Sequence, residues 1–125
     1  LRIALDLTQE WANLGTGSEM VTGVVVARRE FIEEHPQVIS RFLEEYEQSV
    51  EFVNSSVSEA AALVEKHNIV NAAVAEKAIP YCNIVFMTGD EMHDALGGYL
   101  EVLFDQNAES VGGALPGEDF YYGVS

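Results

Sequence analysis

The sequence predicts a chain built mainly of α-helices, with one or two β-strands. Three observations predict this class. Apolar residues recur at helical spacing over long stretches, capping patterns precede those stretches, and one short run is continuously apolar and β-branched. The 125 residues with 48% hydrophobic content suffice for one domain with its own core. We find no internal repeat and no linker that divides the chain.

Two helices are predicted in the first half of the chain. Asp6 precedes Gln9 by three residues, which is the spacing of a capping box, so a short helix should follow Asp6. A long helix should run from about Pro36 to Val53. It can begin at Pro36 because proline is tolerated at the first helical position. The expected buried stripe of this long helix is Val38, Ile39, Phe42, Leu43, Tyr46, Val50 and Val53.

Three further helices are predicted after polar caps. They should begin after Ser56, Asn71 and Thr88, respectively. The last of them should reach about Asn107 and contains the pair Gly97–Gly98, which costs about 2 kcal/mol relative to two alanines. Such a pair indicates either the close approach of another backbone segment or a weakness that the packing tolerates.

The remaining segments are predicted to be extended or short. Val21–Ala27 should form a strand that is buried on both faces, because it is a continuous run rich in β-branched residues. Arg28–Glu34 should form one or two helical turns, and Tyr81–Phe86 an extended segment or short strand. Ser110–Ser125 is a glycine-rich tail with an aromatic anchor at Phe120–Tyr122.

The charge of the chain excludes some classes of partner. Its formal net charge is −15, from 21 acidic and 6 basic residues, so it should be repelled by nucleic acid and by anionic membrane surfaces. Cys82 is the single cysteine and cannot form an internal disulfide. No stretch approaches the roughly 18 apolar residues of a membrane span. The chain begins without methionine on an apolar run, from which we expect a piece of a longer protein.

No pattern in the sequence predicts catalysis, a metal or a cofactor. The three histidines fall in different predicted elements, and the segment around Gly15–Gly17 lacks the third glycine of a dinucleotide-binding fingerprint. Cys82 has no basic neighbour and is expected to be a small buried thiol. We therefore expect no catalytic residues, no metal, no cofactor and no enzymatic activity.

Two stretches carry a resemblance to a known family. Gly23–Pro36, with Phe31 and His35 before the proline, leads into the long helix, and Asn54–Ala61 opens the next one. This resembles the C-terminal half of solute-binding proteins of ABC importers of the nitrate, sulfonate, taurine and thiamine-precursor type. Val57 stands where that family often has proline. Two later stretches, Ala78–Ile84 and Gly112–Tyr122, are similar to the tail of a Gram-positive subgroup.

The resemblance implies an α/β parent fold of the type II periplasmic-binding-protein class. Residues 1–125 would be a single C-terminal segment, mainly of lobe one, with the N-terminal part absent. The whole protein would be an extracytoplasmic carrier, either periplasmic or a membrane-anchored lipoprotein. It would bind a small-molecule solute between two lobes and deliver it to a membrane permease.

Only the segment before the predicted strand is placed to line such a cleft, at loops near strand ends. Ser18 and Thr22 offer hydroxyl donors, Gly17 lets backbone N–H groups approach an anion, and Trp11 would form a wall. The alternatives are core packing for Trp11 and an ordinary surface loop for Ser18. We expect the fragment alone not to bind solute and, because its strand lacks a sheet, to form a homodimer.

Two other functions stay open at this point. One is a small acidic helical module that binds a partner protein through an apolar groove. The continuous run Val21–Ala27 disfavours it, because an autonomous helical bundle has little use for a buried strand. The other is an enzyme, since some relatives of the carrier fold make thiamine precursors, but the residues for that chemistry would lie in the absent half.

Overall fold

The computed structural model describes residues 4–124, and within them every regular element is helical. The α-helices are α1 (Leu7–Asn13), α2 (Arg29–Glu34), α3 (Pro36–Ser55), α4 (Val57–Lys66), α5 (Ala72–Ala78) and α6 (Gly89–Gln106). Short 3₁₀ helices cover Ile79–Tyr81, Ala108–Val111 and Glu118–Phe120. No helix among these residues is both long and apolar enough to cross a membrane.

The chain forms two compact units. The first comprises Leu1–Val25 and Met87–Ser125, of which residues 4–25 and 87–124 are described, and it contains α1 and α6. The second comprises Val26–Phe86 and contains α2 to α5. No linker signal in the sequence marks this division, because the first unit is assembled from two separate stretches of the chain.

Small side chains form the core of the second unit. Ala60 and Ala61 of α4, Ala75 of α5 and Ile79 are all buried, and α4 lies directly against α5. Because alanines let two helices approach closely, this core is narrow and tolerates little added volume. Partly buried side chains surround it: Phe52, Val53, Val57, Val64 and Ala72.

The caps of α1 and α5 are confirmed. The Asp6 carboxylate accepts hydrogen bonds from the backbone N–H groups of Thr8 and Gln9, at 3.0 and 3.3 Å. The Asn71 side-chain oxygen accepts from the N–H of Ala73 at 2.9 Å. Each cap satisfies a donor that the first helical turn leaves without an intrahelical partner.

The two other predicted caps lie in the expected positions but do not bond as predicted. Ser56 and Thr88 precede α4 and α6, yet neither side chain makes a cap hydrogen bond. The α4 helix instead has a well-formed C-terminus at Asn68, whose φ of 57° is left-handed. The N–H groups of Asn68 and Ile69 donate to carbonyls of the last helical turn at 2.9 and 3.1 Å, which is a Schellman motif.

The strand predicted over Val21–Ala27 does not form. The structure has no regular secondary structure from residue 18 to residue 28, and Val24, Val25 and Val26 are 55%, 56% and 78% exposed. A strand needs a neighbouring strand for its backbone hydrogen bonds, and no strand occurs between residues 4 and 124. Local β-propensity alone does not supply that partner.

The segment Tyr81–Phe86 is not a strand either. It begins in the 3₁₀ helix, and residues 83–86 have no regular secondary structure. The side-chain amide of Asn54 donates to the Ile84 carbonyl at 2.9 Å, and the Phe86 ring lies edge-on to Tyr46, with centroids 5.7 Å apart. Contacts with α3 therefore replace strand pairing. The two-lobed α/β parent fold stays a prediction.

The buried stripe of α3 is only partly as predicted. Ile39 and Val50 are buried, but Val38 and Phe42 are 53% and 43% exposed. The stripe was inferred from periodicity, which identifies the apolar face of a helix but not how much of that face another element covers.

Added volume at Ala61 should destabilise the second unit. Replacing Ala61 with leucine forces a side chain into a narrow core and should lower the free energy of unfolding by about 1–3 kcal/mol. Urea denaturation followed by circular dichroism at 222 nm measures this. The matched control is Ala62→Leu on the exposed face of α4, expected within about 0.5 kcal/mol of the native chain. Equal effects of both substitutions would contradict the assigned core.

Candidate functional site

Two groups of polar and aromatic side chains contact α6 in the first unit. The aromatic cluster consists of Trp11, Thr16, Ser18 and Tyr99, and the histidine cluster of His93, Asp94, Glu118 and Tyr121. In both, residues distant in sequence meet at α6. These clusters are the candidate functional site.

The aromatic cluster is organised around the Trp11 indole. Its Nε1–H donates to both the carbonyl and the hydroxyl oxygen of Ser18, at 3.1 and 3.2 Å. The Trp11 ring lies 5.1 Å from the Tyr99 ring, centroid to centroid, at 44°. This centroid separation lies within the range of about 4.5–7 Å that is favourable for aromatic pairs. The indole N–H is thus fully used within the protein, and only the ring surface is open to a ligand.

The hydroxyl groups of Thr16 and Ser18 are 2.8 Å apart, and the Ser18 N–H donates to Thr16 Oγ1 at 3.3 Å. Ser18 Oγ already accepts the indole hydrogen, so its own hydrogen can point to Thr16 Oγ1. In that arrangement, the exposed Thr16 hydroxyl is the last group in this series of hydrogen bonds. Its hydrogen can therefore donate to a bound molecule.

Gly98 allows the Ser18 loop to lie against α6. A Cβ atom at Gly98 would be 3.1 Å from the Ser18 Cβ, which is closer than side chains normally pack. Gly97 faces a different neighbour, since a Cβ there would be 3.7 Å from the Tyr121 hydroxyl. Of the two interpretations of the glycine pair, close approach of another segment is confirmed at Gly98, whereas a Cβ at Gly97 would make an ordinary contact.

The structure brings together two of the four predicted ligand-binding residues. Trp11 and Ser18 are half-buried and hydrogen-bonded to each other. Gly17 lies in the loop between them with a left-handed φ of 73°, a conformation that glycine adopts without strain. Thr22 is exposed in the irregular segment that follows. Ligand binding by these four residues stays a prediction, and Ser18 has fewer free hydrogen-bonding groups than expected.

The histidine cluster places an imidazole between two carboxylates. His93 Nδ1 is 3.1 Å from Asp94 Oδ1, and His93 Nε2 is 3.3 Å from Glu118 Oε2. The hydrogen bond to Asp94 is the largest cause that raises the pKa of His93 above 6.5; Glu118 adds to the effect and partial burial opposes it. The Tyr121 ring packs edge-on against the imidazole at 4.5 Å.

Tyr121 is held as a neutral phenol. Burial is the main cause that raises its pKa above 10, and the nearby carboxylates of Glu118 and Glu101 act in the same direction. This cluster therefore combines a histidine that favours its charged form with a tyrosine that favours its neutral form.

Sequence reasoning missed Thr16, Tyr99 and Tyr121 and gave His93 no role. Tyr99 follows the glycine pair in the last predicted helix without a role of its own, and Tyr121 belongs to the predicted aromatic anchor of the tail. The glycine pair was the one available signal, because it marked the place on α6 where other segments approach closely.

Cys82 differs from its prediction. Its thiol is exposed and lies 3.3 Å from the Ala78 carbonyl, in the turn after α5. Within residues 4–124, no three His, Cys, Asp or Glu side chains are grouped so as to hold a metal ion.

Concave surfaces of the second unit are weaker candidates. A groove of about 510 Å³ borders α3 and α4 and is lined mainly by apolar side chains such as Phe52, Leu63 and Ile69. A hollow of about 450 Å³ runs along α3 and is lined only by polar side chains of that helix. The groove also carries polar side chains, among them Glu45, Ser49 and His67, whereas the hollow has no apolar wall of the kind that small-molecule sites usually have.

Alanine substitutions at Gly97 and Gly98 should have different effects, because the two glycines have different neighbours. Gly97→Ala should stabilise the first unit by about 0.5–1 kcal/mol, because alanine favours the helix and its Cβ makes an ordinary contact. Gly98→Ala should lose that gain and displace Ser18, which shifts the resonance of the Trp11 indole N–H, the only indole in the chain. Thermal unfolding and ¹H–¹⁵N NMR measure both effects. An unmoved indole resonance in Gly98→Ala would contradict the close approach.

Comparison with known proteins shows a family match over most of the chain. A family model described as menaquinone biosynthesis matches residues 1–104. No curated protein and no solved structure matches the chain. The matched region includes Trp11, Ser18, His93 and Tyr99 but ends before Glu118 and Tyr121.

This match overturns the carrier interpretation. The resemblance to ABC-importer solute-binding proteins was wrong, and with it the predicted transport function and the solute and permease partners. The expectation that the chain is not an enzyme was also wrong, because the matched family consists of biosynthetic enzymes. The helical interaction module gains no support. Since the matched region covers most of the sequence, the chain belongs to the menaquinone biosynthesis family.

Proposed function

We propose that this chain acts as an enzyme, or as part of one, in menaquinone biosynthesis, and that its aromatic cluster positions the ring of a precursor. The observation that carries the proposal is the family match over residues 1–104, which contain the whole aromatic cluster. Menaquinone is a naphthoquinone, so late steps of its synthesis handle fused aromatic rings.

The aromatic cluster offers the contacts that such a ring needs. Trp11 and Tyr99 are half-buried and present aromatic surface on which a planar ring can stack. The Trp11 indole is held in place by its two hydrogen bonds to Ser18, so its orientation is fixed before a ligand arrives. The Thr16 hydroxyl can donate to a carbonyl or hydroxyl oxygen on the ring.

The negative charge of the first unit favours binding of an uncharged part of the precursor at the aromatic cluster. The first unit contains eleven Asp and Glu residues, and its single Lys or Arg is Arg2. Glu10 and Glu19 are direct sequence neighbours of Trp11 and Ser18. A carboxylate beside the aromatic cluster would meet like charge, whereas a neutral ring would not.

The two-lobed parent fold and the extracytoplasmic location remain predictions without a test. The proposed function depends on neither. It requires only that the aromatic cluster be accessible to a ring-bearing precursor.

Deleting the gene that encodes this chain should abolish or strongly reduce menaquinone in its source organism, as measured by mass spectrometry of extracted quinones. Reintroducing the native gene should restore it. Reintroducing Tyr99→Leu should restore several-fold less, because the ring contact with Trp11 is lost. The matched control is Tyr81→Leu, at a tyrosine that is 84% exposed in the second unit, and it should restore the native level. Unchanged menaquinone after deletion would refute the proposed function.

Ligand binding can be followed directly at the Trp11 indole N–H. We expect 2-naphthol, a neutral fused ring, to shift this NMR resonance in a saturable manner. The anionic analogue 2-naphthoate should bind several-fold more weakly because of the negative charge of the first unit, including Glu10 and Glu19 next to Trp11 and Ser18 in the sequence. In Tyr99→Leu the response to 2-naphthol should weaken, and in Tyr81→Leu it should persist. Equal binding of the two ligands would contradict the charge argument, and no response to either would contradict the binding site.

A further inference from the structure

The C-terminal segment of the chain, residues 118–124, follows one face of α6. His93 and Gly97 are four residues apart and therefore lie next to each other on one side of the helix, and Gly89 precedes them at its N-terminus. A Cβ atom at Gly89 would lie 3.4 Å from the Gly123 carbonyl oxygen. The remaining contacts of this face are those of His93 with Glu118 and Tyr121, and of Gly97 with the Tyr121 hydroxyl.

His93 is the one side chain between two glycines on this face. An added Cβ at Gly89 or Gly97 would make only an ordinary contact with the C-terminal segment, so the contact between segment and helix depends on the imidazole between these glycines. The segment lies outside the region matched by the family model, which ends at residue 104. The contact therefore joins α6, most of which lies within the family match, to a part of the chain beyond that match.

The protonation state of His93 decides whether both of its ring nitrogens can donate. Asp94 and Glu118 carboxylates are acceptors when ionised, so each nitrogen must carry a hydrogen to bond to them. Only the imidazolium has both hydrogens. The neutral ring has one, which leaves one carboxylate facing a nitrogen lone pair.

We propose that His93 is a pH-controlled clasp that holds the C-terminal segment on α6 when it is protonated and releases it when it is neutral. The groups that face the imidazole are Asp94 on α6 and Glu118 and Tyr121 on the C-terminal segment.

The sign of the pH dependence follows from the direction of the shift. The pKa of His93 is raised in the folded chain, so the clasp is fully closed below about 6.5, the value for a free histidine. It opens as the pH rises above that value and through the raised pKa. Tyr121 remains neutral throughout, because burial raises its pKa above 10.

NMR relaxation of the intact chain between pH 5.5 and 9 tests the clasp. We expect the amides of Tyr121–Val124 to be ordered at pH 5.5, with order parameters near about 0.85, and to fall below about 0.6 at pH 9. The midpoint of this change should coincide with the titration of the His93 ring, at a pH above 6.5. In His93→Gln the segment should be mobile at every pH. The matched control His67→Gln, in the second unit, should behave as the native chain.

Glu118→Gln provides a second, milder test. It keeps the shape of the side chain but removes its charge, so the pKa of His93 should fall. The pH at which the C-terminal segment becomes mobile should fall by the same amount. A segment whose order does not change across the His93 titration would overturn the proposal. Native order in His93→Gln at pH 5.5 would do the same.

Discussion

The close approach of the Ser18 loop to the backbone of α6 at Gly98 is the constraint on which the aromatic cluster of the first unit depends. The Ser18 loop lies against Gly98, and the Tyr121 ring lies next to Gly97. Any larger side chain at Gly98 moves the Ser18 loop, and Ser18 orients the Trp11 indole. Gly98, which weakens the helix by about 1 kcal/mol relative to alanine, is therefore a condition for the aromatic cluster.

Features of the fold that depend on local chemistry could be predicted from the sequence. Asp6 and Asn71 cap helices because their side chains reach the nearest backbone N–H groups, whatever the rest of the chain does. The long helix α3 also begins at the predicted residue, because Pro36 is compatible with only the first turn. Side-chain capping by Ser56 and Thr88 was the exception, since cap position does not ensure the rotamer that makes the bond.

Features that depend on distant residues could not be predicted in this way. The run Val21–Ala27 has strand propensity, but pairing requires a partner that propensity does not provide. The candidate site shows the same limit. Trp11 and Ser18 were identified from their neighbourhood in sequence, whereas Tyr99 and Tyr121 meet their partners only through tertiary contacts. The resemblance to carrier proteins rested on a predicted strand, on helix starts and on two later stretches, which describe a scaffold and not its chemistry.

The Ser18 loop, Trp11 and Tyr99 meet next to Gly98 to form one aromatic cluster, and nuclear Overhauser effects in the native chain test this arrangement most directly. The structure predicts contacts from the Trp11 indole N–H to the Ser18 side chain, and from the Ser18 side chain to the Gly98 α-protons. It also predicts contacts between the Trp11 and Tyr99 rings. Their joint absence in a folded sample would contradict the cluster and, with it, the proposed binding site.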